Sequence, residues 1–415
     1  MKKKHLKILY ISQYYPPEIG ATQTRAFEMA RNLVNRGHQV TVLTEFPNHP
    51  TGIIPKQYRF KFFKREHDSG IDILRMWVFA RPKKNFLTRI IFYFSFMFTA
   101  IIGGLAIRKK YDVVYATSPP LFVAGAGYVI SFLRGIKFVM EVRDLWPESA
   151  VVLGELSNKF FIRLSEKYEK FLYTKAVKIV TVTQGIYDRL IQMDIQEVKL
   201  NLIINGVNTE LYQPARKQAS ILGEWSVDES NFVVAYTGLH GLIHGLDFVI
   251  EVAHQLRNED KILFVFIGDG VRKDSLMTKA KEFKLKNIIF MDAKQENELA
   301  CYVQNCDAGL ATTKSIELCK GTIPVKMFTY MACSKPVLLC VDGEARSIVE
   351  QSSSGIYIEP ENAEQLKLAI LKLKANRKLC KSMGQKGRQL VEQHYSRAAL
   401  AQKLEQCLLD SIGEN

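Results

Sequence analysis

Charged side chains cluster directly after one apolar run of the sequence. The run from Lys137 to Val142 has the β-branched and aromatic content of a buried strand, and Arg143, Asp144 and Glu148 follow it closely. In parallel α/β sheets, ligands bind beyond the carboxyl ends of the strands. These side chains could simply cap the next helix, but their density favours a site. We therefore predict that Arg143, Asp144 and Glu148 are catalytic residues.

A second stretch, residues 236–247, is rich in glycine and carries two histidines. Gly238 and Gly241 let a ligand approach the backbone, and a helical pattern begins directly after the stretch. The side chains of His240 and His244 can donate hydrogen bonds to phosphate oxygens. We predict that this stretch binds a diphosphate. The alternatives are an ordinary turn and a metal site, and the metal site has no third ligand nearby in the sequence.

Glycines also end two other predicted strands. The junction at residues 14–25 has Gly20 as its single glycine, whereas a dinucleotide-binding fingerprint requires three. The junction therefore argues against a hydride-transfer enzyme. Gly20 can bring backbone N–H groups toward an anion, although by itself it is explained by an ordinary turn. Gly268 lies in a Gly-Asp-Gly turn that is expected at the edge of the binding cleft.

Short β-branched runs alternate with helical patterns along the chain, which predicts an α/β fold with parallel sheets covered by helices on both faces. Strands are predicted at 7–12, 39–45, 71–78, 112–117, 137–142, 176–183, 198–205, 231–238, 262–269, 287–292, 308–313, 336–341 and 355–360. The alternation restarts after a polar stretch at 206–230. We therefore predict two doubly wound, Rossmann-like domains facing a cleft, residues 1–205 and 206–395. Residues 396–415 form a last helix that we expect to pack back on the first domain.

The chain carries a formal net charge of +15 and seven cysteines. The positive charge suits an anionic partner, such as an acidic lipid surface, a phosphorylated substrate or nucleic acid. No nucleic-acid-binding motif accompanies the charge, so we expect no nucleic-acid partner. The cysteines are odd in number, and no secretory signal precedes the first strand. This combination predicts reduced thiols in a cytoplasmic protein.

An apolar run without charges extends from Ile90 to Ile107. As a helix it would be about 27 Å long, which is marginal for crossing a bilayer. A single crossing would also separate strands that belong to one sheet. Two interpretations remain, a core helix or a helix lying in the membrane interface, and the flanking cations favour the second. The predicted acceptor-facing and membrane-facing residues are Arg89, Phe94, Phe96, Phe98, Arg108, Lys109 and Lys110.

Several motifs, in one order along the chain, resemble a known family. They are Ser12-Gln-Tyr-Tyr-Pro-Pro-Glu-Ile-Gly-Ala21, Arg36-Gly-His-Gln-Val-Thr-Val-Leu-Thr44, Phe46-Pro-Asn-His-Pro-Thr-Gly52, Ala116-Thr-Ser-Pro-Pro-Leu-Phe122, Glu141-Val-Arg-Asp-Leu-Trp-Pro-Glu-Ser149, Asn205-Gly-Val-Asn208, and Pro324-Val-Lys-Met-Phe-Thr-Tyr-Met-Ala332 with Lys335-Pro-Val337. The chain resembles the retaining glycosyltransferases of family 4 with the GT-B fold, and in particular bacterial amino-sugar transferases of the L-fucosamine type.

The resemblance implies sugar transfer with retained anomeric configuration and without a metal or other cofactor. It places the donor diphosphate between Gly20 and the glycine-rich stretch, the nucleotide on the second domain and the acceptor on the first. Asp144 and Arg143 would position the acceptor or stabilise the charge that develops on the sugar. The implied donor-binding residues are Gly20, Gly238, His240, Gly241, His244, Gly268, Glu317, Lys326 and Thr329.

The sequence departs from the family pattern at two places. The family's second phosphate loop often carries arginine and lysine, where this chain has His240 and His244. The family's paired glutamates, eight residues apart, correspond to Gly321 and Thr329, and neither is acidic. The first of these glutamates usually contacts hydroxyls of the donor sugar and the second contacts the ribose. Glu317 lies upstream as a substitute for the first, and Thr329 offers a neutral hydrogen bond in place of the second.

These features predict transfer of an N-acetyl-hexosamine from a UDP-sugar to a lipid-linked or polysaccharide acceptor in cell-surface glycan biosynthesis. We expect the protein in the cytoplasm, peripheral or monotopic on the inner face of the cell membrane. One alternative is an enzyme like UDP-N-acetylglucosamine 2-epimerase, which shares the fold but needs no membrane helix. The other is a non-catalytic, membrane-docked partner of another transferase, which the missing acidic pair would explain.

Overall fold

The chain folds into two compact α/β units. The computed structural model describes residues 5–18, 20–82, 86–152 and 156–413. Residues Met1–Asn205 and Arg397–Asn415 form the first unit, and residues Gly206–Ser396 form the second. Each unit has its own predominantly parallel sheet with helices packed against it. The predicted class, two doubly wound α/β sheets, is confirmed.

The first unit is built on one sheet with the strand order β3-β4-β2-β1-β5-β6-β7-β8. These strands are β1 (Lys7–Ile11), β2 (Gln39–Glu45), β3 (Phe63–Asp68), β4 (Ile71–Met76), β5 (Val113–Ser118), β6 (Lys137–Val142), β7 (Lys178–Thr181) and β8 (Leu200–Leu202). Neighbouring strands are parallel except β3 and β4, which are antiparallel. The antiparallel edge strand β3 was not predicted, because its charged residues hide the pattern of a strand.

Two apolar cores lie on opposite faces of this sheet. The helices that precede the second unit are α1 (Ala21–Asn35), α2 (Phe86–Ala106), α3 (Leu121–Arg134), α4 (Glu148–Val152), α5 (Lys159–Lys175) and α6 (Gln184–Gln192). Side chains alternate between the faces along a strand. Leu9 and Ile11 therefore pack with α2, α3 and α5, while Ile8 and Tyr10 pack with α1 and the C-terminal helix.

The second unit has a parallel sheet with the strand order β11-β10-β9-β12-β13-β14. Its strands are β9 (Phe232–Thr237), β10 (Ile262–Ile267), β11 (Ile288–Met291), β12 (Ala308–Thr312), β13 (Val337–Cys340) and β14 (Gly355–Tyr357). Its helices are α7 (Ala219–Glu224), α8 (Asp247–Gln255), α9 (Lys273–Glu282), α10 (Glu296–Asn305), α11 (Glu317–Lys320), α12 (Val325–Ala332), α13 (Glu344–Ser352), α14 (Ala363–Ala375) and α15 (Arg377–Leu390), and α16 (Arg397–Gly413) follows. The polar stretch at 206–230 thus contains one short helix, α7.

The last helix, α16, returns to the first unit and packs against α1. Leu404 and Leu408 lie one turn apart and are buried in the core that α1 covers. Glu405 on the same helix is buried, and its carboxylate accepts hydrogen bonds from Arg36 Nε (2.5 Å) and from His38 Nε2 (2.9 Å). Apolar burial and this ion pair together hold the C-terminus of the chain on the first unit.

A buried ion pair joins α1 to the end of β6. Glu141 Oε2 accepts hydrogen bonds from Arg25 Nε (2.9 Å), Arg25 Nη2 (2.8 Å) and the Tyr115 hydroxyl (2.6 Å). Burial by itself raises the pKa of Glu141, but the guanidinium groups of Arg25 and Arg143 outweigh burial, so the pKa is lowered. The carboxylate therefore stays charged in the folded protein at neutral pH.

The same arginine explains why β8 is short. A strand was predicted over residues 198–205, but β8 covers only Leu200–Leu202. The carbonyls of Ile203 and Ile204 accept hydrogen bonds from Arg25 Nη2 and Nη1, both at 2.9 Å. The backbone after β8 thus binds a side chain of α1.

Glu141→Gln should lower the free energy of unfolding of the first unit by about 3–5 kcal/mol, because it leaves Arg25 buried without a counter-charge. A double variant, Glu141→Leu with Arg25→Met, should recover part of this loss, since it removes both charges. Urea and thermal denaturation would measure the changes.

The matched control is Glu350→Gln, which breaks an exposed ion pair with Arg346 (3.1 Å). The control should cost about 0.5 kcal/mol or less, because exposed ion pairs are screened by water. If Glu141→Gln costs no more than this control, the buried pair does not stabilise the first unit.

Candidate functional site

A pocket of about 270 Å³ opens at the carboxyl end of the first unit's sheet. It is lined by Tyr14, Thr22, Tyr93, Pro119, Pro120, Arg143 and Asp144. Two of the three residues predicted to be catalytic are therefore together in one pocket. The walls come from the junction after β1, the start of α1, the helix α2, the turn after β5 and the turn after β6.

Arg143 is held rigidly at the edge of this pocket. Its backbone N–H donates to the carbonyl of Ser118 (2.8 Å), and its Nη2 donates to the carbonyl of Pro119 (2.9 Å). Its Nε lies 3.8 Å from Glu141 Oε1, and only 12% of its side chain is exposed. A fixed, largely desolvated positive charge of this kind can bind an anionic or polar group of a substrate.

Asp144 lies beside Arg143 and is open to solvent. The surrounding protein raises its pKa, while hydrogen bonds from the Ser149 side chain and the Leu145 N–H, together with the charge of Arg143, act in the opposite direction. The net shift is upward. A carboxylate in this position can accept a hydrogen bond from a substrate hydroxyl.

Glu148 and Gly20 lie near the pocket but do not line it. The carboxylate of Glu148 is 54% exposed, and its Oε2 lies 3.3 Å from Arg189 Nε on α6. Gly20 is the residue before α1, and this helix begins without a side-chain cap or an acidic residue in its first turn. Its neighbour Thr22 is the residue of α1 that reaches the pocket. Within the described residues, the first N–H groups of α1 therefore have no side-chain cap, and such groups attract anions.

Helix α2 contributes both a pocket wall and an exposed apolar face. Tyr93 lines the pocket and stacks on Phe122 at 6.0 Å, and the next residue, Phe94, lies 4.6 Å from the same ring. Phe94 is 51% exposed and Phe98 is 65% exposed. One exposed line of apolar side chains, named here the α2 stripe, consists of Leu87, Ile91, Phe94, Phe98, Ile102 and Leu105. The middle of the α2 stripe, at Phe94, lies next to the pocket.

The assignment of Phe96 to the membrane-facing set is wrong. Its side chain is fully buried, because it lies on the opposite side of α2 with Phe92 and Ala100, against the sheet. The apolar run therefore serves two surfaces, a core face and the exposed α2 stripe. The helix is also longer than the run 90–107, since it begins at Phe86.

The cations around α2 differ in their surroundings. Arg108 and Lys110 are exposed, and Lys109 Nζ lies 3.3 Å from Asp72 Oδ2. Arg89 is half-buried and has an interaction partner. Within the described part of the chain, α2 is the one helix long and apolar enough to cross a bilayer, and about a third of it (33%) is buried. The strands before and after it, β4 and β5, belong to the same sheet.

The glycine-rich stretch forms a fixed loop after β9, named here the glycine loop (residues 238–245). The turn after β10 supports it, since the N–H of His240 donates to the carbonyl of Asp269 (2.8 Å). A Cβ on Gly268 would lie 1.9 Å from the carbonyl oxygen of Gly238, so only glycine fits there. Gly238 itself has a φ of +113°, a conformation that other residues rarely adopt. Gly268 thus acts through the loop, by allowing the close approach of two strand ends.

The ammonium group of Lys326 approaches the glycine loop from α12. It is buried, lies 3.6 Å from the centroid of the Tyr236 ring, and has no hydrogen-bond partner among the described residues. A Cβ on Gly238 would lie 3.6 Å from Lys326 Nζ, so this ammonium borders the loop backbone directly. Burial lowers the pKa of Lys326 to about 7.

Both histidines of the glycine loop also have ring nitrogens without hydrogen-bond partners among the described residues. Neither ring nitrogen of His240, nor Nδ1 of His244, has a hydrogen-bond partner among the residues that the structure describes. Burial, followed by the nearby lysines Lys273 and Lys326, lowers the pKa of His240 to about 4. Burial and Lys326 lower the pKa of His244 to about 4 as well. Gly241 leaves room for His244, because a Cβ there would lie 2.9 Å from its Nδ1.

These side chains could bind an anion. The ammonium of Lys326 and the imidazoles of His240 and His244 lie around the Tyr236 ring, and a bound phosphate would supply the hydrogen-bond acceptors and the negative charge that they lack. No group of three or more potential metal ligands occurs in the described ranges. The geometry therefore favours phosphate chemistry at the carboxyl end of the second sheet.

The remaining predicted donor residues have other surroundings. Glu317 is 86% exposed on the short helix α11 and forms an ion pair with Lys320 (2.8 Å). Thr329 is buried one turn after Lys326, and its hydroxyl lies 3.5 Å from the carbonyl of Val325. Gly321 ends α11. The contacts of Glu317 thus give no support to its role as a substitute for the missing acidic residue.

Sequence reasoning missed the aromatic parts of both sites. Tyr93 lies inside an apolar run, where its hydroxyl group was the only signal of a polar surface nearby. Tyr14 precedes Gly20 in the junction that had been singled out for its glycine. Tyr236 ends a buried strand, and only the structure shows that its ring contacts the ammonium of Lys326.

Comparison with known proteins agrees with this architecture. The model of the glycosyl transferase 4-like domain matches residues 20–206, and the model of glycosyl transferases group 1 matches residues 218–390. The putative colanic acid biosynthesis glycosyl transferase WcaI of Escherichia coli K12 is 22% identical over 375 residues, covering 88% of this chain and 91% of that protein. The probable glycosyltransferase WbjE of Pseudomonas aeruginosa is 23% identical over 351 residues, covering 81% and 84%.

A solved structure shares the fold over the whole chain. Alr3699/HepE of Anabaena, in complex with UDP and glucose, superposes with a TM-score of 0.74 at 16% identity and covers 98% of this chain and 100% of its own. The two family matches follow each other along the sequence and leave only short stretches uncovered. The protein is therefore a glycosyltransferase of the group 1 family with the GT-B fold.

Proposed function

We propose that this glycosyltransferase transfers an N-acetyl-hexosamine from a UDP-sugar to a lipid-linked or polysaccharide acceptor at the inner face of the cell membrane. The observation that carries the proposal is the buried ammonium of Lys326 beside the glycine loop. A lysine without a hydrogen-bond partner in this position is costly unless an anion completes it. The diphosphate of a nucleotide sugar is such an anion.

UDP is the nucleotide that we favour for the donor. HepE, the solved neighbour, forms complexes with UDP, with UDP and glucose, and with UDP-glucose. The N-acetyl-hexosamine rests on the resemblance to L-fucosamine-type transferases. WcaI is named for colanic acid biosynthesis, which supports a role in glycan biosynthesis for this chain as well.

The acceptor is proposed to bind in the first unit's pocket. Arg143 offers a positive charge there, Asp144 a hydrogen-bond acceptor and Tyr93 an aromatic wall. Because Tyr93 is followed by the exposed Phe94 of the α2 stripe, a lipid attached to the acceptor could leave the pocket along an apolar surface. The arrangement therefore suits an anionic, lipid-linked sugar acceptor on a membrane surface.

The mechanism proposed is attack from the face that the leaving group occupies, without a metal. The ammonium of Lys326 and the N–H groups of the glycine loop would stabilise negative charge on the departing diphosphate. An oxygen of this diphosphate would take the proton of the acceptor hydroxyl as the new bond forms. Asp144 and Arg143 would hold the acceptor in place and stabilise the charge of the reacting sugar.

A thermal-shift comparison of UDP, GDP, ADP and CMP tests the donor site. We expect stabilisation by UDP, followed by slow UDP release from a UDP-N-acetyl-hexosamine. Lys326→Gln should weaken UDP binding on the order of tenfold to a hundredfold, as expected for a lost hydrogen bond between charged groups.

The control for this variant is Lys279→Gln, which makes the same charge change at a partly exposed pair with Glu251 (2.8 Å) and should bind UDP normally. No stabilisation by any of the four nucleotides would refute the donor site. Nucleotide binding with no turnover on any donor would instead favour the non-catalytic partner, as the absence of acidic residues at Gly321 and Thr329 suggests.

UDP affinity should fall as the pH rises above about 7. The pKa of Lys326 is about 7 in the free protein, and a bound diphosphate raises it by adding negative charge nearby. Below pH 7 the lysine is already protonated, so its contribution to affinity is constant. Between the free and the bound pKa, binding takes up a proton, and affinity falls up to about tenfold per pH unit.

Calorimetric titration with UDP at pH 8, in buffers of different ionisation enthalpy, would measure this proton uptake. Lys326→Gln should remove it, while His240 and His244, with pKa values of about 4, contribute little at this pH. Equal proton uptake by the parent protein and the variant would contradict the assignment to Lys326.

Sedimentation with lipid vesicles tests the α2 stripe. Phe94→Ser combined with Phe98→Ser should reduce binding on the order of tenfold or more, because two aromatic side chains no longer enter the bilayer interface. Leu368→Ser, at a 56% exposed position of the second unit, should leave binding unchanged. Phe96→Ser should instead destabilise the fold, since Phe96 is in the core. Unchanged binding by the first variant would show that the α2 stripe does not contact the membrane.

A further inference from the structure

Helix α5 has an exposed apolar flank that the proposed function does not use. Phe160 is 70% exposed, Leu164 is 54% exposed and Phe171 is 40% exposed. Their spacing of four and seven residues places them on one side of the helix. Three large apolar side chains in a row on a surface helix are unusual unless another surface covers them.

A basic flank lies next to this apolar flank. Lys159, Arg163, Lys167 and Lys170 are exposed and recur at intervals of three or four residues. No carboxylate within the described ranges forms an ion pair with any of them. Of the two acidic residues of α5, Glu169 is buried and only one other remains on the surface. The outer face of α5 thus carries an excess of positive charge, four cations against Glu166.

The apolar flank faces α3, and the basic flank faces away from it. The ring of Phe171 packs edge-on against Tyr128 of α3 at 5.1 Å. Tyr168 reaches α3 at Gly125, where an added Cβ would lie 1.8 Å from the tyrosine hydroxyl and 3.6 Å from Met97 Cε of α2. Because Gly125 has no side chain, α2 and α5 both close over α3 at this point. The three helices therefore form one layer on the sheet.

Because α2, α3 and α5 form one layer, the α2 stripe and the apolar flank of α5 lie next to each other on the surface. The α2 stripe lies on one side of α3 and the apolar flank of α5 on the other. The end of α3 adds Phe132, 70% exposed, and Leu133, 60% exposed. The basic flank of α5 forms the outer border of this apolar area.

The apolar flank and the basic flank together indicate what kind of surface covers α5. A protein partner with an apolar surface would leave the four cations of α5 without counter-charge. An anionic bilayer satisfies both flanks, because aromatic side chains enter the headgroup region while lysine and arginine extend to the phosphates. Charge complementarity thus favours a lipid surface.

We propose that α5 is a second membrane-binding element, whose basic flank binds anionic headgroups while its apolar flank enters the interface beside the α2 stripe. The proposal rests on the proposed function, since it takes the α2 stripe as facing the same membrane. It adds lipid selectivity, because α2 supplies apolar contact and α5 supplies the attraction to anionic lipid.

Three neutralising substitutions test the basic flank, Arg163→Gln, Lys167→Gln and Lys170→Gln in one protein. Sedimentation with mixed phosphatidylglycerol and phosphatidylethanolamine vesicles should show binding weakened on the order of a hundredfold at low salt. Binding of the parent to these vesicles should fall as salt is added, and that of the variant should change little. Binding to pure phosphatidylcholine vesicles should be the same for both.

The matched control neutralises three exposed lysines of the second unit, Lys378→Gln, Lys381→Gln and Lys386→Gln, with the same change in net charge. It should bind anionic vesicles like the parent. An equal loss in the control would mean that net charge, not α5, sets the affinity, and would overturn the proposal. Unchanged binding by the α5 variant, or no binding by the parent protein, would overturn it as well.

A second variant, Phe160→Ser with Leu164→Ser, tests the apolar flank independently, because both side chains are exposed and can be replaced without opening the core. It should weaken binding to both kinds of vesicle. If these variants instead abolish a monomer–dimer equilibrium and leave vesicle binding intact, the face is a contact between two copies of the chain and the proposal fails.

Stabilisation by UDP, measured without lipid, separates this proposal from the proposed function. All α5 variants should keep the UDP response of the parent, since none of these residues lies in either site. Failure of the donor site would appear in the parent protein, whereas failure of the membrane element would appear only with vesicles.

Discussion

The ion pair between Arg25 and Glu141 fixes the geometry of the first unit's pocket. Arg25 belongs to α1, whose first turn provides Thr22, and Glu141 lies two residues before Arg143 on β6. Strand alternation puts Glu141 and Arg143 on the same face of the sheet, so the carboxylate stabilises both guanidinium groups. A buried charge without a partner costs about 3–5 kcal/mol. Moving α1 away from the end of β6 would therefore be strongly unfavourable. An ion pair that stabilises the fold thereby sets the position of the Arg143 charge at the pocket.

In the second unit, the candidate anion-binding group is the amine of Lys326, which is buried without a hydrogen-bond partner among the described residues. A permanently charged lysine at the position of Lys326 would pay for its desolvation in every empty molecule. Burial instead lowers the pKa to about 7, so the group is partly neutral when empty. In the empty protein, a cation–π contact with the Tyr236 ring weakly stabilises the charged form of Lys326. In our proposal the diphosphate completes this ionisation, and the lysine from α12 replaces the cations that the glycine loop does not carry.

Alternating strand and helix patterns predicted the two sheets. Polar or glycine residues after apolar runs placed both candidate sites at the carboxyl ends of strands, where the structure has Arg143 after β6 and Gly238 after β9. Sequence reasoning failed where partners are distant in sequence. Nothing local indicates that Arg25 pairs with Glu141, 116 residues away. Charge on β3 concealed an edge strand, and a uniformly apolar run could not show which phenylalanine of α2 faces the core.

The two faces of α2 also decide how the protein can meet a membrane. By length and composition α2 could cross a bilayer, but a crossing would pull Phe92, Phe96 and Ala100 out of the first core. Each buried phenylalanine stabilises the core by about 1.5–3 kcal/mol. Burial in lipid would be about as favourable, so the loss of these core contacts does not by itself prevent insertion. The constraint is the sheet, since β4 and β5 flank α2 and lie in one sheet with β2 and β1 between them. A crossing would place β1 to β4 and β5 to β8 on opposite sides of the bilayer, and it would break the ladder between β1 and β5 at the centre of the sheet. Binding through the exposed α2 stripe, without insertion of the whole helix, keeps the sheet intact, which is why we propose a monotopic protein.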